Sequence, residues 1–110
     1  MRPLSAGRTA APLLVARLDL TDRPVLEVDG GDQPWCTPLT KRHAELLVRV
    51  QAAGPAGVTA GQLSTALFGD TDHVVTVRAE LSRLRRVIGA LVETSPYRLA
   101  DGVVLTVVGG

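Results

Sequence analysis

Residues 73–89, with the sequence HVVTVRAELSRLRRVIG, constrain the fold more than any other part of the chain. Their apolar residues recur at i, i+4, i+7 and i+11, which is typical of one buried stripe along a helix. This stripe consists of Val77, Leu81, Leu84 and Ile88. The opposite face carries Val75, Ala79, Ser82, Arg83 and Arg86, with Arg78 and Arg85 at its flank. The sequence therefore predicts an amphipathic helix whose outer face is basic.

The positive charge of the chain is concentrated in this helix. Residues 73–89 carry a formal charge of +3 with His73 neutral, whereas the whole chain carries +1, so the remaining residues sum to −2. One basic helix in a nearly neutral protein is typical of a helix that enters the major groove of DNA. The alternative is a solvated basic face, because arginines near a helix C-terminus also favour the helix dipole.

Composition limits the class of protein. A chain of 110 residues is long enough for one domain with a modest core. Cys36 is the only cysteine, so an intrachain disulfide is excluded, and no apolar run has the length of a membrane span. We therefore expect a cytoplasmic protein without a membrane partner. Eleven of the twelve basic residues are arginine, which together with the many Ala, Gly, Val and Leu residues suggests a GC-rich bacterial genome.

The order of the predicted elements indicates an α+β fold. Residues 1–11 have no periodicity and are interpreted as a leader or linker, and residues 12–108 as the folded domain. Three short strand patterns, near 13–20, 25–28 and 34–37, are separated by turn residues and predict an N-terminal three-stranded antiparallel sheet. Three helices should follow. The dipeptide Asp101-Gly102 between two apolar runs predicts a C-terminal β-hairpin.

Capping residues define the first two helices. Thr40 is the predicted N-cap of a helix that ends near Ala53. Thr59 and Gln62 match a capping box, which starts a short second helix that ends before Gly69. The expected inward residues are Leu46, Leu47 and Val50 in the first helix and Leu63, Ala66 and Leu67 in the second. The third helix should cover residues 73–88.

The sequence gives little indication of a catalytic site or a metal-binding site. His43 and His73 lie on different helices, and neither has a Cys or His at ligand spacing. Cys36 lies beside Trp35 in a strand pattern, so we expect a half-buried, inert thiol. Asp29 and Asp32 flank two glycines and are interpreted as turn formers. We expect no enzyme, no metal and no cofactor.

Several motifs together resemble a known family. They are Leu39-Thr40 followed by Glu45-Leu46-Leu47, the helix end Leu67-Phe68-Gly69, the run VTVRAELSRLRRVIG, and Tyr97-Arg98-Leu99. Over roughly residues 13–100, the chain resembles the OmpR/PhoB-type winged-helix domain. Within that family, RHAELL and VTVRAELSRLRR look most like the winged-helix domain that bacterial regulators carry downstream of a GAF sensor domain. The resemblance implies a winged helix-turn-helix with the hairpin as its wing.

The resemblance also implies sequence-specific binding of double-stranded DNA and transcriptional regulation. By position, the base-facing residues of the family fall on Val75, Thr76, Ala79, Ser82 and Arg83. The phosphate contacts fall on Arg85 and Arg86, with Arg78 on the flank of the same face and Arg98 in the wing. Glu80 departs from the family pattern. It could accept a hydrogen bond from a cytosine amine, but near phosphates we expect its carboxylate to cost affinity.

The implied partners are DNA and RNA polymerase, although the turn at residues 70–72 is short for a surface that recruits the polymerase. No helix carries a second apolar face or a heptad seam, so we expect the isolated domain to be a monomer. The alternative hypothesis is a winged-helix module that binds a protein through its third helix and does not bind DNA.

Overall fold

The computed structural model describes residues 14–30 and 33–109, so the predicted leader at 1–11 lies outside the described residues. Over these described residues the fold is α+β, with three α-helices. In chain order the elements are β1 (Leu14–Asp19), β2 (Val25–Asp29), β3 (Trp35–Pro38), α1 (Lys41–Ala53), α2 (Ala60–Phe68), α3 (Val74–Ile88), β4 (Val92–Glu93), β5 (Arg98–Leu99) and β6 (Val103–Val108). Short 3-10 helices occupy Gly54–Ala56 and Gly89–Leu91.

The chain divides into two compact units. The first contains the described residues up to Pro38 and those from Asp101 onward, and the second is Leu39–Ala100. The predicted boundary of a single domain at 12–108 stays a prediction. No helix in the described part of the chain is long and apolar enough to cross a membrane.

A four-stranded sheet forms the first unit, in the order β3-β2-β1-β6. The strands β1, β2 and β3 pair antiparallel as predicted, but β6 adds a fourth, parallel strand to the predicted three-stranded sheet. Alternate residues of these strands point to opposite faces, as the strand period requires. The buried face consists of Ala16, Leu18, Leu26, Val28 and Leu105. On the exposed face, Arg17 forms ion pairs with Glu27 at 3.2 Å and Asp19 at 3.1 Å.

The predicted hairpin at Asp101-Gly102 is wrong. β6 follows this turn but runs parallel to β1, with Leu14 opposite Val103 and Leu18 opposite Val107. Parallel neighbours need a long crossover connection, and residues 39–100 provide one here. A turn dipeptide specifies only a local change of direction. In the observed pairing, Leu105 of β6 lies beside Ala16 of β1, and both are buried. The hairpin of this protein is β4–β5 instead, where Val92 pairs with Leu99 and Glu93 with Arg98.

The helices of the second unit begin and end where the caps predict. The Thr40 hydroxyl accepts a hydrogen bond from the His43 N–H at 3.0 Å. Thr59 and Gln62 form both hydrogen bonds of the capping box. Gly69 ends α2 with a φ of 86°, a left-handed conformation that glycine adopts without strain.

The apolar stripes of the three helices build the core of this unit. Its buried apolar residues include Leu46, Leu47, Val50, Leu63, Val77, Leu81, Leu84, Ile88 and Val92. This confirms the predicted buried stripe of α3. The prediction for Ala66 is wrong, because Ala66 is exposed. The inward stripe of α2 is Ala60, Leu63, Ser64 and Leu67, and Ala66 lies about a third of a turn away from it.

The β4–β5 hairpin is fixed to the segment between α1 and α2. Val58 and Tyr97 exchange two backbone hydrogen bonds of 2.8 Å each. Gly57 precedes this bridge with a φ of +78°, and a Cβ at that position would lie 2.7 Å from Cγ of Pro96. Only glycine therefore allows the hairpin to approach so closely.

Candidate nucleic-acid interface

The outer face of α3 is the candidate interface, and the helix period separates it from the core. Val77, Leu81, Leu84 and Ile88 are buried on one side. Val75, Thr76, Arg78, Ser82, Arg83 and Arg86 are exposed, and Ala79 is half-buried. Val75 is 79% exposed and is the most exposed of the large apolar residues that the structure describes. The residues expected to face DNA thus occupy one side of one helix, apart from Arg85 and Arg98.

Two arginines of this face have guanidinium groups without a partner in the part of the chain that the structure describes. Within the described residues, neither Arg78 nor Arg86 makes a side-chain hydrogen bond or an ion pair. Arg78 borders a cleft of about 650 Å³ between the start of α2 and the tip of the β4–β5 hairpin. The cleft is also lined by Thr59, Gln62, Pro96 and Tyr97. Both guanidinium groups are consequently available to an anionic partner.

Arg85 is half-buried and partly engaged within the fold. Its Nε donates a hydrogen bond of 2.9 Å to the backbone carbonyl of Val92 in β4. This bond joins the last turn of α3 to the hairpin. Arg98 lies on β5 and pairs with Glu93 across the hairpin at 2.8 Å. Sequence spacing could not reveal either contact, because both depend on how the hairpin packs.

Glu80 links the interior of the unit to the outer face of α3. Its Oε1 accepts a hydrogen bond from Nη1 of Arg83 and lies 3.7 Å from Nε2 of His43 on α1. The hydrogen bond from Arg83 and the nearby His43 hold the pKa of Glu80 below its ordinary value, although partial burial opposes this effect. Glu80 is therefore ionised at neutral pH and offsets part of the charge of Arg83.

The turn between α2 and α3 is held by Ser64, a residue that the sequence analysis missed. Ser64 is fully buried, and its hydroxyl donates to the carbonyl of Asp70 at 2.6 Å and accepts from the N–H of His73 at 3.1 Å. Asp70 Oδ1 accepts a hydrogen bond from the N–H of Asp72 at 2.9 Å. A signal was present in the sequence, since Ser64 is a polar residue on the apolar stripe of α2.

An aromatic stack supports the same turn. The rings of Phe68 and His73 are stacked with centroids 4.1 Å apart, and the guanidinium carbon of Arg42 lies 4.6 Å from the Phe68 centroid. His73 Nδ1 is also 3.0 Å from the Asp70 carboxylate. Arg42 on α1, the end of α2 and the start of α3 thus meet at one ring. These contacts join the three helices at the turn.

The other titratable residues do not assemble into a site. No group of three or more His, Cys, Asp or Glu residues in the described part of the chain could hold a metal ion. Cys36 is exposed, so the prediction of a half-buried thiol is wrong. Among the strands that the structure describes, the short strand β3 lies at an edge of the sheet and pairs only with β2. Asp29 accepts a 2.7 Å hydrogen bond from the N–H of Gly30, in keeping with a turn former, and Asp32 lies outside the described residues.

Comparisons with known proteins identify one similar protein and assign no family. No family model matches the chain, and no solved structure matches it. The chain is similar to a Rhodococcus erythropolis protein described as an uncharacterized 47.3 kDa protein in the thcA 5′ region. The two are 41% identical over 78 residues, which is 70% of this chain and 17% of the relative. The chain thus spans about a sixth of the length of the curated relative that it matches.

Proposed function

We propose that the second unit is a winged helix-turn-helix of the OmpR/PhoB type that binds double-stranded DNA sequence-specifically. In this proposal the helix-turn-helix consists of α2, the turn that Ser64 holds, and α3. The recognition helix is α3, and the wing is the β4–β5 hairpin. One observation carries the proposal. The outer face of α3 combines small or exposed residues along its centre with arginines around them, which is the shape and charge that fit a major groove.

The proposed contacts follow from the surroundings of each side chain. Ala79 and Ser82 are small, so the helix can approach base edges closely, and Arg83, Val75 and Thr76 lie within reach of the bases. Arg78 and Arg86 have free guanidinium groups for phosphates. Arg85 keeps its Nη groups for a phosphate while its Nε holds β4. Arg98 is compensated by Glu93, so it is a weaker contact for the minor groove.

The biological context is also part of the proposal. The relative described as a 47.3 kDa protein is several times longer than the matched segment, which supports the use of this unit as one part of a longer protein. We propose that the longer protein is a cytoplasmic bacterial transcriptional regulator with a sensor domain, and that RNA polymerase is its second partner. We propose no enzymatic activity for the unit.

The test is selection of duplexes from a random library, followed by affinity measurements at several salt concentrations. With three phosphate contacts, the logarithm of affinity should fall against log salt with a slope of about −3. Arg78→Ala should weaken binding and flatten this slope by about one unit. Arg49→Ala removes the same charge from the exposed side of α1 and is the matched control, which should change neither quantity.

The second candidate is a protein-binding module. The observation that favours it is the large exposure of Val75, an apolar side chain at the start of a helix with an uncovered face. A protein interface responds weakly to salt, since few condensed ions are released. If the parent domain bound no duplex even at low salt, DNA binding would be refuted and the protein-binding candidate would replace it.

A further inference from the structure

We propose that Glu80 determines the DNA specificity of α3 by holding the guanidinium of Arg83 in one orientation. This inference rests on the proposed DNA binding. It identifies Glu80 as the residue that makes the basic helix α3 discriminate between DNA sequences. Glu80 itself contacts no base in this proposal. It is a positioning residue that acts through Arg83.

The geometry places Glu80 between a buried side chain, His43, and an exposed one, Arg83. Glu80 and Arg83 are three residues apart and lie one above the other on α3. The side chain of Arg83 is 62% exposed, whereas those of Glu80 and His43 are 24% and 11% exposed. Oε1 of Glu80 contacts both partners. His43 is buried, and its Nε2 lies 3.7 Å from the same carboxylate oxygen that accepts the hydrogen bond from Arg83.

Holding Arg83 in place changes what it can recognise. A free arginine can turn toward any phosphate, and phosphates are the same in every sequence. Glu80 engages only Nη1, so the other N–H groups of the guanidinium remain available for the paired acceptors of a guanine edge. Because the orientation is set before binding, less side-chain entropy is lost when the correct base is met. Discrimination between bases should therefore increase.

The charge of Glu80 acts in the same direction. An ionised carboxylate on the outer part of α3 repels phosphates, and this repulsion weakens binding to every sequence. It also offsets the charge with which Arg83 would bind phosphates. Glu80 thus lowers nonspecific affinity while it favours the specific contact. A substitution that removes the charge should shift these two affinities in opposite directions.

The experiment is Glu80→Gln, which keeps the size of the side chain and removes its charge. The duplex selected by the parent domain and a scrambled duplex are titrated at several salt concentrations. We expect about threefold to tenfold tighter binding to the scrambled duplex, a salt slope steeper by about one unit, and weaker binding to the selected duplex. Glu45→Gln is the matched control, because Glu45 is exposed and pairs with Arg42 at the same i,i+3 spacing on α1. It should leave the ratio of the two affinities unchanged.

Two results would overturn the inference. An equal change in affinity for both duplexes would mean that Glu80 acts only as a charge. The second result comes from NMR of the arginine side chains without DNA. Rotation of the Arg83 guanidinium should be slower than that of Arg86 in the parent and should become faster in Glu80→Gln. If the Arg83 guanidinium rotated as freely as that of Arg86 in the parent, the inference would fail even if the domain bound DNA. Absence of binding to any duplex would instead refute the proposed function.

Discussion

The hydroxyl of Ser64 accepts a hydrogen bond from the backbone N–H of His73 at 3.1 Å, across the turn that joins α2 to α3. The same hydroxyl donates to the carbonyl of Asp70, so one buried oxygen closes both ends of the turn. His73 is the residue from which α3 starts. A buried side chain of α2 is therefore bonded directly to the residue that caps the start of α3.

Ser64→Ala should destabilise the second unit. The substitution leaves the partly buried N–H of His73 and carbonyl of Asp70 without their partner, and the loss of such hydrogen bonds costs about 1–3 kcal/mol. Ser82→Ala is the control, since Ser82 is exposed on α3 and should change the free energy of unfolding by less than about 0.5 kcal/mol. Denaturant unfolding monitored by circular dichroism measures both. Equal effects of the two substitutions would show that the Ser64 hydrogen bonds do not stabilise the turn.

Asp70 should contribute stability that is lost in acid. The hydrogen bond from the Asp72 N–H, together with His73, holds the pKa of Asp70 below its ordinary 3.8. A carboxyl whose pKa is lower in the folded state stabilises the fold above its unfolded pKa, and this contribution disappears as pH falls through the folded pKa. The parent should therefore melt at a higher temperature than Asp70→Asn near pH 7, and the difference should shrink below about pH 4. A difference that stayed constant down to pH 2.5 would contradict this assignment.

The helices could be predicted from the sequence because their determinants are local. Thr40 and the pair Thr59 and Gln62 bond to backbone groups within three residues, and the stripe of α3 repeats within one helix. The partner of β6 could not be predicted, because the pairing of Leu14 with Val103 joins residues far apart in the chain. A local turn signal at Asp101-Gly102 suggested the wrong neighbour.

The same contrast between local and long-range determinants applies to the candidate site. Which residues lie on the outer face of α3 follows from the helical period alone. Which arginines have partners does not, because Arg85 bonds to the carbonyl of Val92 in the hairpin, and the carboxylate of Glu80, which accepts from Arg83, lies 3.7 Å from His43 of another helix. The helical period therefore predicts which residues lie on the outer face of α3, and tertiary packing determines which of their charged groups have a partner.

Val75 should recognise the methyl group of a thymine. Its side chain is 79% exposed at the first turn of α3, and apolar side chains read thymine through its methyl group. Replacing that thymine with deoxyuracil in the selected duplex removes only the methyl group and should weaken binding about fourfold, the equivalent of one buried methylene. Val75→Ala should bind both duplexes equally.

Because Val75 and Arg83 are eight residues apart, the thymine should lie about three to four base pairs from the guanine read by Arg83. A scan of deoxyuracil through every thymine that left affinity unchanged would exclude this contact.

Arg83 and Arg86 should separate specific from nonspecific binding. Arg83 has an oriented guanidinium next to the small residues Ala79 and Ser82, so it can reach a base edge, and arginine is well shaped for the O6 and N7 acceptors of guanine. Arg86 is exposed one turn nearer the helix end and has no partner among the described residues, so it is available to a phosphate. Arg83→Ala should weaken binding to the selected duplex by about 1–3 kcal/mol and leave the scrambled duplex nearly unchanged.

Arg86→Ala should instead weaken both duplexes alike and flatten the salt slope by about one unit. Titration of both variants against both duplexes at several salt concentrations distinguishes the two roles. Each variant is the control for the other, because both remove a guanidinium group from α3. Equal losses from both substitutions on both duplexes would mean that α3 is a nonspecific basic surface. A reversed pattern, with Arg86 selective and Arg83 general, would keep α3 as the reading helix but place the base contact one turn further along it, because a guanidinium held by Glu80 would then be too restrained to enter the groove.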